Sequence, residues 1–277
     1  MSFLEKLLAA ERQNQSLLCV GLDPEPERLP EHLRTLPVER AIVRFCREII
    51  EVTAPYTSVF KPNFAFFEVL GPAGLSALQE IVRAIPAHIP VIADAKRGDI
   101  GSTAKNYAAA LFETYGFDAA TVNPYLGYDA VAPFLAYREK GVLLLCRTSN
   151  PSARDFQDLL VQTADGPTRP LYEVVAQRVQ SWNEAGNCGL VVGATYPQEM
   201  GAIRKLCPDL PVLVPGIGAQ GGDLEAVGPL AVDARGERAM FSASRAILYA
   251  GGGEDYASVA ASTARALRDQ INQARGL

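Results

Sequence analysis

Histidine is nearly absent from this chain. Only His32 and His88 occur, and neither stands at a spacing that would let it share a metal with a second ligand, so a histidine-built metal centre is not expected. The five cysteines, Cys19, Cys46, Cys146, Cys188 and Cys207, are odd in number and form no C-x-x-C pair. Cys19, Cys146 and Cys188 sit in apolar runs, where a thiol packs as a small hydrophobe. That usage argues against a disulfide framework and fits a reducing compartment. No uncharged apolar run reaches the ~20 residues that a membrane span requires. The first thirteen residues, MSFLEKLLAAERQ, carry charge of both signs and read as an amphipathic N-terminal helix, not a signal peptide. The expected setting is the cytoplasm.

Clusters of basic residues are missing too. The net charge is -5 and the pI about 5.2, so the electrostatic footprint of a nucleic-acid binder is absent. A small anionic ligand stays open, because a local basic pocket does not need a basic protein. No Ser/Gly linker or low-complexity segment divides the 277 residues, of which 48% are hydrophobic. Residues 1-277 are expected to form one domain with a core large enough to need no covalent staples.

What is present is a repeated alternation. Short apolar runs read as strands over Leu17 to Leu22, Thr57 to Phe60, Val91 to Lys96, Ala119 to Val122, Val142 to Cys146, Gly189 to Val192, Val212 to Val214 and Ala239 to Ser242. Between them, helical periodicity predicts helices over Val38 to Thr53, Ala73 to Ile85, Ser102 to Tyr115, after Gly127, Leu171 to Ala185, Pro197 to Leu206 and Tyr256 to Ala274. Alternating strands and helices imply a parallel sheet. Eight such units in a chain of ~250–280 residues predict a closed (β/α)8 TIM barrel of the α/β class. An open doubly wound sheet is the alternative. The barrel is favoured because polar residues stand at the C-terminal end of nearly every strand, where a barrel builds its site.

Those strand ends supply Asp23, Lys61, Asp94 with Lys96, Asn123, Ser149, Gln220 and Arg245. Each has an ordinary reading alone: Asp23 and Asn123 precede prolines and can start turns, and Lys61 can be a solvated loop lysine. In a barrel all of them converge on one mouth. The third strand runs into DAKRGDIGST from Asp94. Residues two apart share a strand face, so Asp94 and Lys96 point together, and Asp99 follows past Gly98. Two carboxylates beside one ammonium favour the ionised forms and make Lys96 a candidate proton donor to a developing carbanion. A surface ion-pair cluster is the plainer alternative. After the seventh strand, PGIGAQGGD from Pro215 to Asp223 is rich in glycine and leads into a helix, a pattern suited to an anion. Arg245 follows the eighth strand, and barrels frequently bind phosphate with these two loops. The loop lacks the Gly-Lys-Ser/Thr of a P-loop.

Six stretches together resemble the orotidine 5'-phosphate decarboxylase family: GLDP at Gly21, FKPN at Phe60, DAKRGDIGST at Asp94, TSNP at Thr148, PGIGAQGGD at Pro215 and SRAI at Ser244. They run from the first strand to the eighth. The resemblance implies decarboxylation of orotidine 5'-phosphate to uridine 5'-phosphate with no cofactor and no metal. It implies that Lys96 protonates C6, that Asp94 lies beside the substrate carboxylate, and that Lys61 and Asp94 flank Lys96. It further implies that Asp23 and Lys61 meet ribose hydroxyls and that Ser149 reads the pyrimidine. Gln220 and Arg245, with Pro215 and Gly218 of the glycine-rich loop, would hold phosphate, and Asn123 would line the substrate site. Asp99 and Thr103 would reach the neighbouring site of a homodimer. The chain looks like the longer bacterial type, and it departs from the compact type in SNPSARDFQDLLVQTADGPTRP after the fifth strand. Loops that long are uncommon and often functional.

Two enzymatic alternatives and one non-enzymatic one compete. A magnesium-dependent phosphosugar decarboxylase or aldolase of the same superfamily would carry a carboxylate near the end of the second strand, where Lys61 stands. A Schiff-base aldolase using Lys96 needs a neutral amine, which adjacent carboxylates oppose. A non-catalytic phosphate-ligand binder would show affinity without turnover.

Overall fold

A computed structural model of the chain describes residues 1–163, 166–217 and 223–276. Eight parallel strands form one sheet: β1 (Leu18–Leu22), β2 (Val59–Pro62), β3 (Ile92–Arg97), β4 (Ala119–Val122), β5 (Gly141–Arg147), β6 (Cys188–Val192), β7 (Val212–Pro215) and β8 (Ala239–Ala243). Ladder pairing runs from β2 through β1, β8, β7, β6, β5 and β4 to β3. The bridges Phe60↔Val91 and Asn63↔Asp94 then join β2 back to β3. The sheet therefore closes on itself, and the open doubly wound alternative is excluded. The predicted barrel stands.

Parallel strands covered on both faces read as continuous apolar runs, and these do. One face of each strand packs on the surrounding helices. The other points inward, with one residue per strand forming a layer: Cys19, Val59, Ile92, Ala119, Leu143, Val191, Leu213 and Met240, all buried. The floor under this layer is the N-terminal helix Phe3–Gln13, which inserts Phe3 and Leu7. Ser2 and Glu5 cap that helix reciprocally, satisfying two amides that the first turn leaves unpaired. Phe3 N also donates to Glu139 O at 2.8 Å, which ties the plug to the turn before β5.

Stepping two residues along each strand gives the next inward layer. That layer contains Lys61, Asp94 and Thr121 on adjacent strands β2, β3 and β4. The change from an apolar layer to a polar one marks where the core ends and the mouth begins.

Helices Val38–Thr53, Pro197–Leu206 and Tyr256–Ala274 match the periodicity residue for residue. The expected helix over Ser102 to Tyr115 is Gly101–Ala109 continued by a π-helical turn over Ala110–Thr114. Helix Leu171–Trp182 ends three residues before the expected Ala185, where Asn183 turns its side chain to accept from Cys188 N. Four-residue helices Glu31–Arg34, Ala65–Glu68 and Arg245–Leu248 sit in the connections, too short to leave a periodic signal.

Phe3 plugs the end of the barrel opposite the polar mouth. Phe3→Ala is expected to lower stability by ~3–5 kcal/mol, the usual range for a deleted core phenylalanine, read as a lower urea midpoint. Ligand affinity at the mouth should not change. An unchanged midpoint would show that the helix does not close the core.

Candidate active site

The site grows out of an irregularity in β3. Ala93 pairs with Ala120, and the next ladder pair is Arg97 with Val122. Four steps on β3 thus match two on β4. The surplus residues bulge, and a bulge re-aims side chains. Lys96 lies at φ +45°, a left-handed conformation that costs a non-glycine residue ~1–3 kcal/mol and is typical of functional sites. Gly98 follows, and a Cβ there would lie 3.1 Å from Asn123 O. Glycine lets the turn after β3 lie directly against the end of β4.

The bulge brings Lys96 Nζ to 2.5 Å from Asp94 Oδ1. Lys61 Nζ, from the end of β2, donates to Asp94 Oδ2 at 3.0 Å. Asn63 Nδ2 approaches the same oxygen at 3.4 Å, and Thr121 Oγ1 donates to Oδ1 at 3.1 Å. Four donors therefore surround one carboxylate, which has about four lone-pair positions to offer. Asp94 and Lys61 are 8% and 6% exposed, whereas the Lys96 side chain is 49% exposed. One ammonium is locked in the wall and the other faces the mouth.

The electrostatics follow from that burial. Desolvation pushes the Asp94 carboxyl upward, but the charges of Lys61 and Lys96 and their hydrogen bonds outweigh it and hold it well below the usual carboxylate range. Desolvation likewise pulls the Lys61 ammonium downward, and the charges of Asp94 and Asp23 more than reverse it. Both members of the buried pair stay ionised through the neutral range.

The remaining predicted residues lie around this centre at differing removes. Asp23, half-buried past β1, accepts from Asn63 N at 3.2 Å through Oδ1 and so joins the network. Asn123 is exposed, and its side chain accepts from Tyr125 N at 3.0 Å; it caps the turn Pro124–Leu126. Asp99 accepts from Ile100 N at 2.8 Å, and among the described residues no ion pair joins it to Lys96 in its own chain. Thr103 is exposed one turn into the following helix. Ser149 lies beyond β5 against Gly193, where an added Cβ would come within 2.8 Å of the Ser149 Cβ. Pro215 ends β7, paired with Ser242, and Arg245 stands exposed at the start of the short helix after β8. Gly218 and Gln220 lie outside the described residues. Asp223 caps helix Leu224–Ala231, accepting from Ala226 N, so the glycine-rich loop does lead into a helix.

Three residues at this rim escaped the sequence reading. Asn63 is two beyond Lys61, and Thr121 is the one polar residue of AATV, two before Asn123. Strand alternation alone puts each on the inward face. The third, Arg147, carried no comparable signal. It is 1% exposed at the end of β5, stacks its guanidinium 3.9 Å over the Tyr196 ring and reaches Asp158 at 3.2 Å. It thereby anchors the long connection that starts at Thr148. That connection contains the 3-10 turn Pro151–Asp155 and an antiparallel pair of two-residue strands, Leu160–Val161 with Arg169–Pro170.

Known proteins are similar to this chain in sequence and in fold. A sequence model described as Orotidine 5'-phosphate decarboxylase / HUMPS family matches residues 16–259. An orotidine 5'-phosphate decarboxylase of Azoarcus sp. is 51% identical over 277 residues, 99% of this chain and 100% of that protein. One of Herpetosiphon aurantiacus is 50% identical over 265 residues, 95% of this chain and 96% of its own. The solved OMP decarboxylase of Leishmania donovani superposes with a TM-score of 0.86 at 40% identity, covering 100% of both chains. With a family model spanning most of the barrel and relatives alike end to end, the chain belongs to the orotidine 5'-phosphate decarboxylase / HUMPS family.

Proposed function

We propose that this protein is a carboxy-lyase that converts orotidine 5'-phosphate to uridine 5'-phosphate in pyrimidine synthesis, without a cofactor, with Lys96 as the proton donor. The observation that carries the reading is the Lys61–Asp94–Lys96 chain of contacts. Cleavage of the C6–carboxyl bond releases carbon dioxide and leaves the electron pair on C6. An ammonium fixed beside that carbon stabilises the pair as it develops, most strongly where water is excluded. The Lys96 N–H bond then breaks and its proton passes to C6. Lys96 is left as a neutral amine and regains a proton from solvent. Asp94 keeps its charge throughout and holds Lys96 in register, while Lys61 offsets that charge from inside the wall.

The same donors weigh against the enzymatic alternatives. The oxygens of Asp94 are engaged by four side chains, which leaves little capacity for a metal ligand. A Schiff base needs a free amine, whereas Lys96 Nζ is engaged as a donor to Asp94 Oδ1 at 2.5 Å.

Remote binding supplies the rest. Arg245 and the loop beginning at Pro215 are the proposed phosphate site, with Gly218 and Gln220 as further members, and binding energy gained there can be used at the reacting carbon. Asp23 and Lys61 face the ribose, and Ser149 and Asn123 the pyrimidine end. We further read the catalytic unit as a homodimer to which Asp99 and Thr103 each contribute across the interface. Ile100, Tyr125, Leu126 and Tyr128 are all exposed on the two turns that Gly98 brings together, an apolar surface beside Asp99 suited to a second copy. The five cysteines are free and buried, and no described helix is long and apolar enough to cross a membrane; both accord with a cytoplasmic enzyme.

Two experiments follow. Lys96→Ala should lose at least ~10²–10⁴-fold in turnover, the usual contribution of a positioned acid, with the circular dichroism spectrum intact. Loss of orotidylate absorbance is the assay, and EDTA should leave the parental rate unchanged. Near-normal turnover in folded Lys96→Ala would remove this mechanism, and EDTA sensitivity would favour the metal-dependent alternative.

The second concerns Asp99. Lys96→Ala and Asp99→Ala, each nearly inactive alone, should recover activity when mixed under subunit exchange. If Asp99 acts across a twofold interface, one site of each hybrid carries both lesions and the other carries none, so about a quarter of all sites become intact. No recovery, with exchange verified by mass, would place Asp99 in its own chain's site.

A further inference from the structure

We propose that Thr121 is a positioning residue of this site: its hydroxyl fixes the β3 bulge and orients Asp94, so that the Lys96 ammonium meets the carboxylate. The inference rests on the function proposed above and adds a residue to it.

Bulging removes ladder partners from the surplus residues. The amides of Ala95 and Lys96 would be left unpaired next to the core, and an unsatisfied buried amide is costly. Thr121 Oγ1 accepts from both, at 3.1 Å from Ala95 N and 3.0 Å from Lys96 N. A hydroxyl has two lone pairs and one hydrogen. With both lone pairs engaged, the hydrogen must find an acceptor elsewhere. Asp94 Oδ1 lies at 3.1 Å and Ala93 O at 3.5 Å. The nearer acceptor is also the charged one, and it wins on both counts. The whole hydrogen-bonding capacity of one side chain is thus given to the bulge and to the carboxylate.

The backbone at Lys96 needs such support. Its φ of +45° is unfavourable, and strained conformations persist only where surrounding contacts over-determine them. Thr121 supplies two of those contacts. Arg97 supplies another by donating from Nη1 to Ala95 O at 3.2 Å, and its guanidinium is in turn held by Glu68. On a regular strand Asp94 and Lys96 would stand side by side, their Cα atoms ~7 Å apart. In the bulge the Lys96 ammonium instead folds back onto Asp94 Oδ1. Thr121 is 1% exposed and lies behind Asp94, so it acts through Asp94 and Lys96.

Thr121→Val keeps the branched shape and removes the hydroxyl, whereas Thr121→Ser keeps the hydroxyl and removes the methyl group. Losing a hydrogen bond to a charged group corresponds to about 10- to 100-fold in kcat for the valine variant. Affinity for uridine 5'-phosphate should stay within about threefold, and serine should retain kcat within about fivefold. The acidic limb of the kcat profile should move to higher pH in the valine variant, because Asp94 has lost a donor that favours its charge; in the serine variant it should not move. If valine fails to fold, Thr121→Ala replaces it, since its smaller side chain admits a water to the two amides, and the same loss of kcat at constant product affinity is expected. A valine or alanine variant with parental kcat would overturn the proposal. Equal impairment of serine and valine would also overturn it, since that would assign Thr121 a packing role. A parental protein that does not consume orotidine 5'-phosphate would overturn the proposed function itself.

Discussion

The barrel mouth depends on one buried negative charge. Taking a carboxylate out of water costs several kcal/mol unless ionic and hydrogen-bonding partners replace the solvent. Asp94 finds four, from three strands or their ends: Lys61 in β2 and Asn63 just past it, Lys96 in β3 and Thr121 in β4. Among the described residues, β2 meets β3 through two isolated bridges where the other neighbouring strands have regular ladders, and these contacts stitch that seam together. The charge that closes the seam is the one on which the proposed chemistry rests. Deleting one partner of such a pair typically costs ~3–5 kcal/mol, because the other is left uncompensated.

That sharing sets a pH window. The depressed Asp94 carboxyl contributes stability that is fully present above the ordinary carboxylate range, about pH 4, and lost as pH falls through the depressed native value. The raised Lys61 ammonium contributes stability present below the ordinary lysine value, about 10.4, and lost as pH rises through the raised one. Between those limits the wall of the site is fully ionised. Lys96, whose side chain is half in solvent, is the member of the network that faces the mouth.

Much of this was legible in the residues. The eight apolar runs specified the barrel because buried parallel strands leave an uninterrupted apolar signature, and Asp94, Lys61 and Lys96 announced themselves as charges at strand ends. The bulge did not. Alternation read straight through Asp94 and Lys96 put them on one face, which is correct in outcome, but the two surplus residues and the left-handed φ of Lys96 are tertiary facts with no local signature. Thr121 was hidden for a related reason: a lone threonine in a strand is ordinary, and its importance comes only from the amides the bulge releases. Asn123 shows the opposite case. It stands where a substrate-facing residue was expected, and its side chain caps the turn at Tyr125. Arg147 follows the apolar run that ends at Cys146 with nothing to single it out, and only the folded chain shows it clamped between Tyr196 and Asp158.

The most direct measurement is the ionisation of Asp94 itself. Carboxyl-carbon NMR of protein labelled at aspartate, with the Asp94 signal assigned by its loss in Asp94→Asn, reads that charge site by site. The signal should keep its carboxylate shift from about pH 7 down to about pH 3.5, below the midpoint of an ordinary aspartate near 4. A midpoint at or above about 4 would show that Lys61 and Lys96 do not hold the carboxylate in its charged form, and the account of the site would be wrong.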